Sequence, residues 1–142
     1  MRITDVLRRK GNAVLTITPE RTVRDLLSVL SEHKVGALVV STDGASVDGI
    51  VSERDVVRRL HSDGPGVLDE PVGAIMTAHV STCGPDDTTD GVMSEMTEHR
   101  FRHMPVVVEG RLVGIVSIGD VVKSRLEDLQ HERDHLTAYI HG

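Results

Sequence analysis

Aromatic side chains and cysteine are scarce in this 142-residue sequence. It has one Phe, one Tyr and no Trp, so the stacking surface that single-stranded nucleic acids require is not available. A formal net charge of −6 leaves no general basic surface either, and we exclude nucleic acid as a partner. The single cysteine permits no internal disulfide, which suits a reducing compartment such as the cytoplasm.

Long apolar runs are also missing. No run approaches the roughly 18 residues of a membrane span, so we expect no membrane partner. Residues 1–10 carry Arg and Lys but no apolar stretch, so no secretory signal is predicted and the cytoplasm is the expected location. Hydrophobic residues make up 39% and charged residues 27% of the chain, as in ordinary globular proteins.

An internal duplication is the strongest positive feature. Residues 49–55 (Gly-Ile-Val-Ser-Glu-Arg-Asp) return as residues 114–120 (Gly-Ile-Val-Ser-Ile-Gly-Asp). Such a repeat indicates two similar halves, related by an approximate twofold axis, with function in a shared cleft. We divide the chain into residues 1–66 and residues 67–142, each with its own lead-in segment. Residues 72–76 echo residues 3–7 in this role.

Hydrophobic periodicity predicts the same order of elements in both halves: strand, helix, strand, strand, helix. The fold class is therefore α/β (α+β), with a pseudo-twofold axis, a linker over 61–70 and an extended C-terminal helix. The predicted strands cover 14–17, 37–40 and 49–51, then 80–83, 104–108 and 112–116. The predicted helices begin after Thr22, at Glu53 and at about Gly119, and a further helix carries Val92, Met93 and Met96.

Two motifs of the pattern Gly-apolar-apolar-Ser-x-x-Asp each follow two adjacent strands and precede a helix. Together with residues 102–107 (Arg-His-Met-Pro-Val-Val), they resemble the paired cystathionine β-synthase (CBS) domain, or Bateman module, in its stand-alone form. The resemblance implies a regulatory module without catalysis. Its clefts would bind an adenine nucleotide such as AMP, ADP, ATP or NAD, or S-adenosylmethionine. Nothing in the sequence indicates which protein receives the signal.

Each motif places a serine and an aspartate where a strand ends and a helix begins. A helix N-terminus offers free N–H groups to a phosphate, and in the family the aspartate accepts the ribose hydroxyls. Ser52 and Asp55 match these positions in the first half, and Ser117 and Asp120 match them in the second. The alternative is a capping box, which satisfies helix amides without a ligand.

The cations that would neutralise phosphate are distributed unequally. Arg102 and His103 stand where nucleotide-binding relatives place basic residues, while the first half has Gly36 and Ala37 there. Arg54 precedes the first aspartate, whereas the second half has glycine. We therefore expect one better-furnished cleft. For these cations the alternative is a solvated surface position, or a structural role for the histidine.

An adenine would need an apolar slot bordered by strand residues, most of which could equally be ordinary core positions. The candidates are Thr16, Val80, Met104 and Pro105, with Leu15, Leu38 and Ser81 beside them.

The C-terminal helix carries two further patterns. Residues 131–135 (His-Glu-Arg-Asp-His) match the H-E-x-x-H pattern of zinc enzymes, but no third ligand is evident and we predict neither a metal site nor an enzyme. Apolar residues at 122, 126, 129, 136 and 140, interrupted by Arg133, follow a 4-3-4-3-4 spacing that suits helix pairing. This C-terminal seam predicts a homodimer, unless it folds back on its own chain. The alternative function is a ligand-independent scaffold for dimerisation or docking.

Overall fold

The protein is described by a computed structural model that covers residues 1–11 and 13–141. Within these residues it forms five α-helices and five strands, and two short 3₁₀ helices link its halves. The elements run in the order α1 (Ile3–Lys10), β1 (Thr16–Ile17), α2 (Val23–His33), β2 (Ala37–Val40), β3 (Gly49–Ser52), α3 (Glu53–Asp63), 3₁₀ helices Pro65–Asp69 and Val72–Ala74, α4 (Thr89–His99), β4 (His103–Val108), β5 (Arg111–Ser117) and α5 (Ile118–His141). The predicted α+β fold class is confirmed.

The first half is built on a three-stranded sheet in the order β1-β2-β3. β1 pairs parallel with β2, and β2 pairs antiparallel with β3. Helix α2 begins where the Thr22 hydroxyl oxygen accepts a hydrogen bond from the Asp25 N–H at 3.1 Å. It buries Leu26 and Leu30 in the first core. All four residues of β2 are buried, which makes it the central strand of this half.

The second half has only β4 and β5 as a regular antiparallel sheet, and the strand predicted over 80–83 is wrong. Its last residue, Cys83, alone forms a parallel bridge, beside Val106. The next bond of a parallel ladder would need the N–H of residue 105, which is a proline and has none. The corresponding residue of the first half is Val39, which pairs with Thr16 in β1.

The segment between the halves is more ordered than the predicted linker over 61–70. Helix α3 continues to Asp63, and Pro65–Asp69 forms a 3₁₀ turn. The reason is packing, because Val67 is 1% exposed and belongs to the first core.

The two lead-in segments are exchanged between the halves. Ile3 and Val6 of α1 are buried in the second core, with the side chains of β4 and β5. Val72 and Ile75 are buried in the first core. The division at residues 66 and 67 stays a prediction about the repeats, and the packing crosses it in both directions.

Backbone hydrogen bonds repeat this exchange at equivalent positions. The Ile3 N–H donates to the Asp87 carbonyl at 2.9 Å, and the Val72 N–H donates to the Arg21 carbonyl at 2.7 Å. Each lead-in thus joins the loop before the first helix of the half whose core it covers. The twofold relation predicted from the sequence therefore extends to these segments.

The first glycine of each repeated motif lies where a lead-in crosses the sheet. A Cβ on Gly49 would lie 2.5 Å from the Met76 Sδ and 2.9 Å from the Thr77 carbonyl oxygen. A Cβ on Gly114 would lie 2.7 Å from Leu7 Cδ2. The absence of a side chain therefore allows the close approach of the lead-ins.

Helix α5 is the longest element, with 24 residues. It buries Val121 and Ser124 near its start, but every residue from 129 to 141 is exposed. Its outer part therefore has no packing partner in the described chain. Across residues 1–11 and 13–141, no helix combines the length and apolarity needed to cross a membrane.

Candidate functional site

The first repeated motif forms a capping box at the start of α3. The Ser52 N–H donates to Asp55 Oδ2 at 2.8 Å, and the Ser52 hydroxyl donates to the same oxygen at 3.0 Å. The Asp55 N–H in turn donates to Ser52 Oγ at 3.3 Å. Within residues 1–11 and 13–141, Asp55 Oδ1 accepts no hydrogen bond. Capping therefore uses one carboxylate oxygen and leaves two lone pairs on the other.

The second motif has the same cap and an added cation. Asp120 Oδ2 accepts from the Ser117 N–H at 2.9 Å and from Lys10 Nζ at 2.7 Å. The Lys10 ammonium also donates to the Ile115 carbonyl at 2.9 Å. Burial acts to raise the pKa of Asp120, but the hydrogen bonds from Lys10 and Ser117 outweigh it and hold that pKa below its ordinary value. The two aspartates are thus chemically different.

A cavity of about 720 Å³ lies between the halves on the side of Asp55. It receives residues from β3 and α3 of the first half and from the loop before β4 of the second. Its volume falls in the range of about 300–1,000 Å³ that small-molecule sites occupy. Eight of the residues predicted for the site line it: Gly36, Ala37, Ser52, Arg54, Asp55, Val80, Arg102 and His103.

Five predicted residues lie elsewhere. Met104 and Pro105 are buried inside β4, where Met104 is 0% exposed and belongs to the second core. Thr16 pairs with Val39 in β1. Ser117 and Asp120 belong to the second motif, and neither lines this cavity.

Sequence analysis missed further lining residues, several of them basic. Arg58 lies one helical turn after Arg54 on α3, so the i, i+4 spacing could have revealed it. Arg100 is two positions before Arg102, next to a stretch already singled out. The remaining lining residues are Ile50, Glu53, Val57, Thr77, His79, Ser81, His99 and Phe101, of which only Ser81 was considered from the sequence.

His103 is a half-buried residue of the cavity wall, at the start of β4. A Cβ on Gly36 would lie 3.6 Å from His103 Cε1 and 3.6 Å from Glu53 Oε1, so Gly36 of the first half lies directly beside this ring of the second. Burial and the Lys10 cation lower the pKa of His103, against the opposing effect of Asp120 and Glu53. At neutral pH its imidazole is therefore neutral, so one ring nitrogen can donate a hydrogen bond and the other can accept one.

The other reactive side chains stay apart. His131 and His135 are both exposed on α5. Among the described residues, no three metal-ligating side chains form a group that could hold an ion. Burial, with the nearby charges of Asp87 and Glu95, raises the pKa of Cys83 to about 12, so its thiol is unreactive.

The fold and the cleft between its halves define a tandem-repeat α+β module with a cavity lined from both halves. A protein-family model described as "CBS domain" matches residues 3–62 and 72–127. The chain belongs to the CBS domain family, with two repeats, and the resemblance noted in the sequence is confirmed.

Individual relatives support this membership. The mitochondrial CBS domain-containing protein CBSX3 of Arabidopsis thaliana is 36% identical, over 99% of this chain and 72% of its own length. A CBS-domain containing protein of Agrobacterium tumefaciens has a crystal structure that is 44% identical, with a TM-score of 0.85, over 88% of this chain and 99% of that one. A CBS domain protein of Pyrobaculum aerophilum, complexed with AMP, is 28% identical with a TM-score of 0.75, over 84% and 89% of the two chains.

Proposed function

We propose that this protein binds an adenine nucleotide in the cavity beside Asp55 and acts as a non-catalytic regulatory module. The observation that carries the proposal is Asp55 Oδ1, which accepts no hydrogen bond from the described residues and lies in a cavity that both halves line. The AMP complex of the Pyrobaculum aerophilum relative supports the choice of ligand.

The cavity offers a partner for each part of a nucleotide. The two lone pairs of Asp55 Oδ1 match the two ribose hydroxyls. Ile50 and Phe101 supply apolar contacts for a base. Arg102 lies on the opposite side of the molecule's twofold division and offers a two-pronged donor to a phosphate. AMP, ADP, ATP and NAD all carry this combination of groups.

We place one site on each chain, at the first motif. At the second motif, the ammonium of Lys10 already holds Asp120 through an ion pair and is itself fixed by the Ile115 carbonyl. A ribose arriving there would meet a carboxylate already paired with this cation at Oδ2, whereas Asp55 pairs with no cation within residues 1–11 and 13–141. This difference supports a single better-furnished cleft, at the first motif.

Binding would transmit a signal through the two halves that line the cavity. A ligand shifts a conformational equilibrium only through a difference in affinity between the arrangements. Because the cavity is lined from both halves, a bound nucleotide stabilises the arrangement in which they approach each other. A downstream protein would respond to that arrangement.

Calorimetric titration and thermal unfolding test the proposal together. We expect at least one of AMP, ADP, ATP and NAD to bind with a stoichiometry of about one per chain. A ligand at a hundredfold excess over its Kd raises the free energy of unfolding by about 2.7 kcal/mol. If none of them, nor S-adenosylmethionine, binds or shifts the melting temperature at millimolar concentration, the ligand-independent scaffold is the better description.

We also propose that the protein is a homodimer, joined through α3 and α5. Val57 on α3 and Val122 on α5 occupy equivalent positions of the two repeats, and they are 65% and 40% exposed. Leu126, Leu136 and Ile140 extend this apolar surface along α5, with 61%, 60% and 75% exposure. An unpacked helical segment is marginal in water, so a second copy that covers the C-terminal seam would stabilise it.

Leu126→Glu tests the dimer, because a carboxylate in a buried seam would be desolvated without a partner. We expect light scattering to give twice the mass of one chain for the unaltered protein and a single-chain mass for this variant. Val108→Glu is the control, since Val108 is 42% exposed at the end of β4, away from α5. A single-chain mass for the unaltered protein would overturn the homodimer.

The compartment we propose is a reducing one, such as the cytoplasm. Its support is the single thiol, buried and without a disulfide partner.

A further inference from the structure

The cavity beside Asp55 concentrates positive charge in a chain whose net charge is −6. Four arginines line it, against two acidic residues, Glu53 and Asp55. The arginines are Arg54, Arg58, Arg100 and Arg102. Three histidines, at 79, 99 and 103, lie among them. The local charge therefore has the opposite sign to the protein as a whole.

None of these four arginines is neutralised within the chain. Among residues 1–11 and 13–141 none of them forms an ion pair, whereas eight basic side chains elsewhere do. The contrast is sharpest between neighbours, because Arg59 pairs with Asp63 at 2.9 Å while Arg58 faces the cavity unpaired. All four are exposed to solvent, where a ligand that brings its own negative charge can reach them.

The arginines approach the cavity from two directions. Arg54 and Arg58 lie one turn apart on α3 of the first half. Arg100 and Arg102 lie in the segment between α4 and β4 of the second half. Each phosphate of a ligand can engage a guanidinium fork, so a chain of phosphates matches cations that approach from both sides.

Arg100 is held in a backbone conformation that an arginine does not favour. It ends α4 with φ at 58°, in the left-handed region where glycine is the usual residue. The equivalent residue of the first half, Lys34, has φ at 55°. Because Lys34 shares this conformation and lies outside the cavity, the conformation belongs to the repeat, and Lys34 is a matched position against which the side chain of Arg100 can be tested.

We propose that this cavity selects nucleoside polyphosphates over AMP, and over adenosine compounds without phosphate, with Arg58 and Arg100 engaging the additional phosphates. The inference rests on the proposed adenine-nucleotide site and names the class of ligand it takes. S-adenosylmethionine carries cationic sulfonium and ammonium groups, and the four arginines repel them.

A titration series without divalent cations measures this selection. The probes are adenosine, AMP, ADP, ATP, S-adenosylmethionine and inorganic tripolyphosphate. We expect affinity to rise about tenfold with each added phosphate and the gain to shrink as salt is raised. Equal affinities for AMP and ATP would overturn the selection and leave the nucleotide site standing. Tripolyphosphate binding as tightly as ATP would support the charge selection and overturn adenine recognition. No binding by any probe would overturn both.

Arg100→Gly tests whether the Arg100 side chain engages the additional phosphates, with Lys34→Gly as the matched control. Both variants relieve the same backbone conformation, so we expect each to raise the melting temperature by about 2 °C. Lys34 lies outside the cavity lining, so its variant should bind all probes as before. Arg100→Gly should lose about tenfold in ATP affinity and less than twofold in AMP affinity. Equal losses for the two nucleotides, or no loss for ATP, would overturn the proposal for Arg100.

Discussion

Replacing Asp55 with asparagine is expected to weaken nucleotide binding about 100-fold, while the same change at Asp120 keeps the affinity within about threefold. Hydrogen bonds to a charged acceptor contribute about 1.5–3 kcal/mol each, and the two ribose hydroxyls would both lose theirs at Asp55. Asparagine keeps one oxygen for the Ser52 N–H, so the cap of α3 survives. Its amide nitrogen replaces the free oxygen and can only donate.

The matched change at Asp120 separates ligand binding from stability. Asp120→Asn removes the ion pair with Lys10, in which the Asp120 side chain is 26% exposed and the Lys10 side chain 36%. Because the pair is partly solvated, we expect the free energy of unfolding to fall by no more than about 1 kcal/mol. Calorimetric titration measures the affinities, and urea unfolding of each variant shows whether it is folded. A larger loss at Asp120 than at Asp55 would move the site to the second motif. Equal losses at both would show that binding occupies both clefts.

Gly49→Ala is expected to lower the free energy of unfolding by about 3 kcal/mol, and Gly114→Ala by about 1 kcal/mol. The added methyl group at Gly49 meets the backbone carbonyl of Thr77, which accepts a hydrogen bond from the Ile50 N–H at 3.0 Å. The Thr77 N–H donates in turn to the Ile50 carbonyl at 2.9 Å, so this residue is held at both backbone groups. At Gly114 it meets only the end of the Leu7 side chain, which can change rotamer. Backbone cannot move aside as cheaply as a flexible side chain.

Urea unfolding followed by circular dichroism compares the two alanine variants directly. Gly66→Ala is a control, because a Cβ at this position has nothing within 4 Å. If Gly49→Ala unfolds at the same urea concentration as the control, the lead-in of residues 72–77 does not cross the sheet as described. A cost at Gly114 that exceeds the cost at Gly49 would contradict the assigned difference between backbone and side-chain neighbours.

Most elements of the fold could be predicted because each is encoded locally. The β-rich runs of β2 to β5 and the apolar face of α2 carry their own periodicity, and the duplication shows that the two halves share one plan. The strand predicted over 80–83 does not form, for a reason that hydrophobic periodicity cannot indicate. Its partner has a proline at position 105, and the loss of one N–H in β4 removes the bond that residue 81 would have accepted.

The candidate site could likewise be predicted only in part from the sequence. The repeated motif indicates Ser52 and Asp55, and the short stretch of residues 102–107 indicates Arg102 and His103. The pairing of Lys10 with Asp120 joins residues 110 positions apart, and no sequence pattern indicates it. This contact makes the two motifs chemically different although their sequences are similar. The difference between the clefts therefore comes from tertiary structure, through a lead-in segment whose destination the sequence does not give.

Because each lead-in segment is buried in the core of the other half, the two halves must fold together. Cutting the chain between Asp63 and Pro65 would leave α1 on the first fragment and the Val72–Ala74 turn on the second. Each fragment would then carry the lead-in segment that covers the other fragment's sheet, and its own sheet would stay uncovered. Neither could shield its sheet from water alone, and the two could regain the native arrangement only by associating. The duplication that created this architecture thus produced a molecule whose halves are complete only in combination.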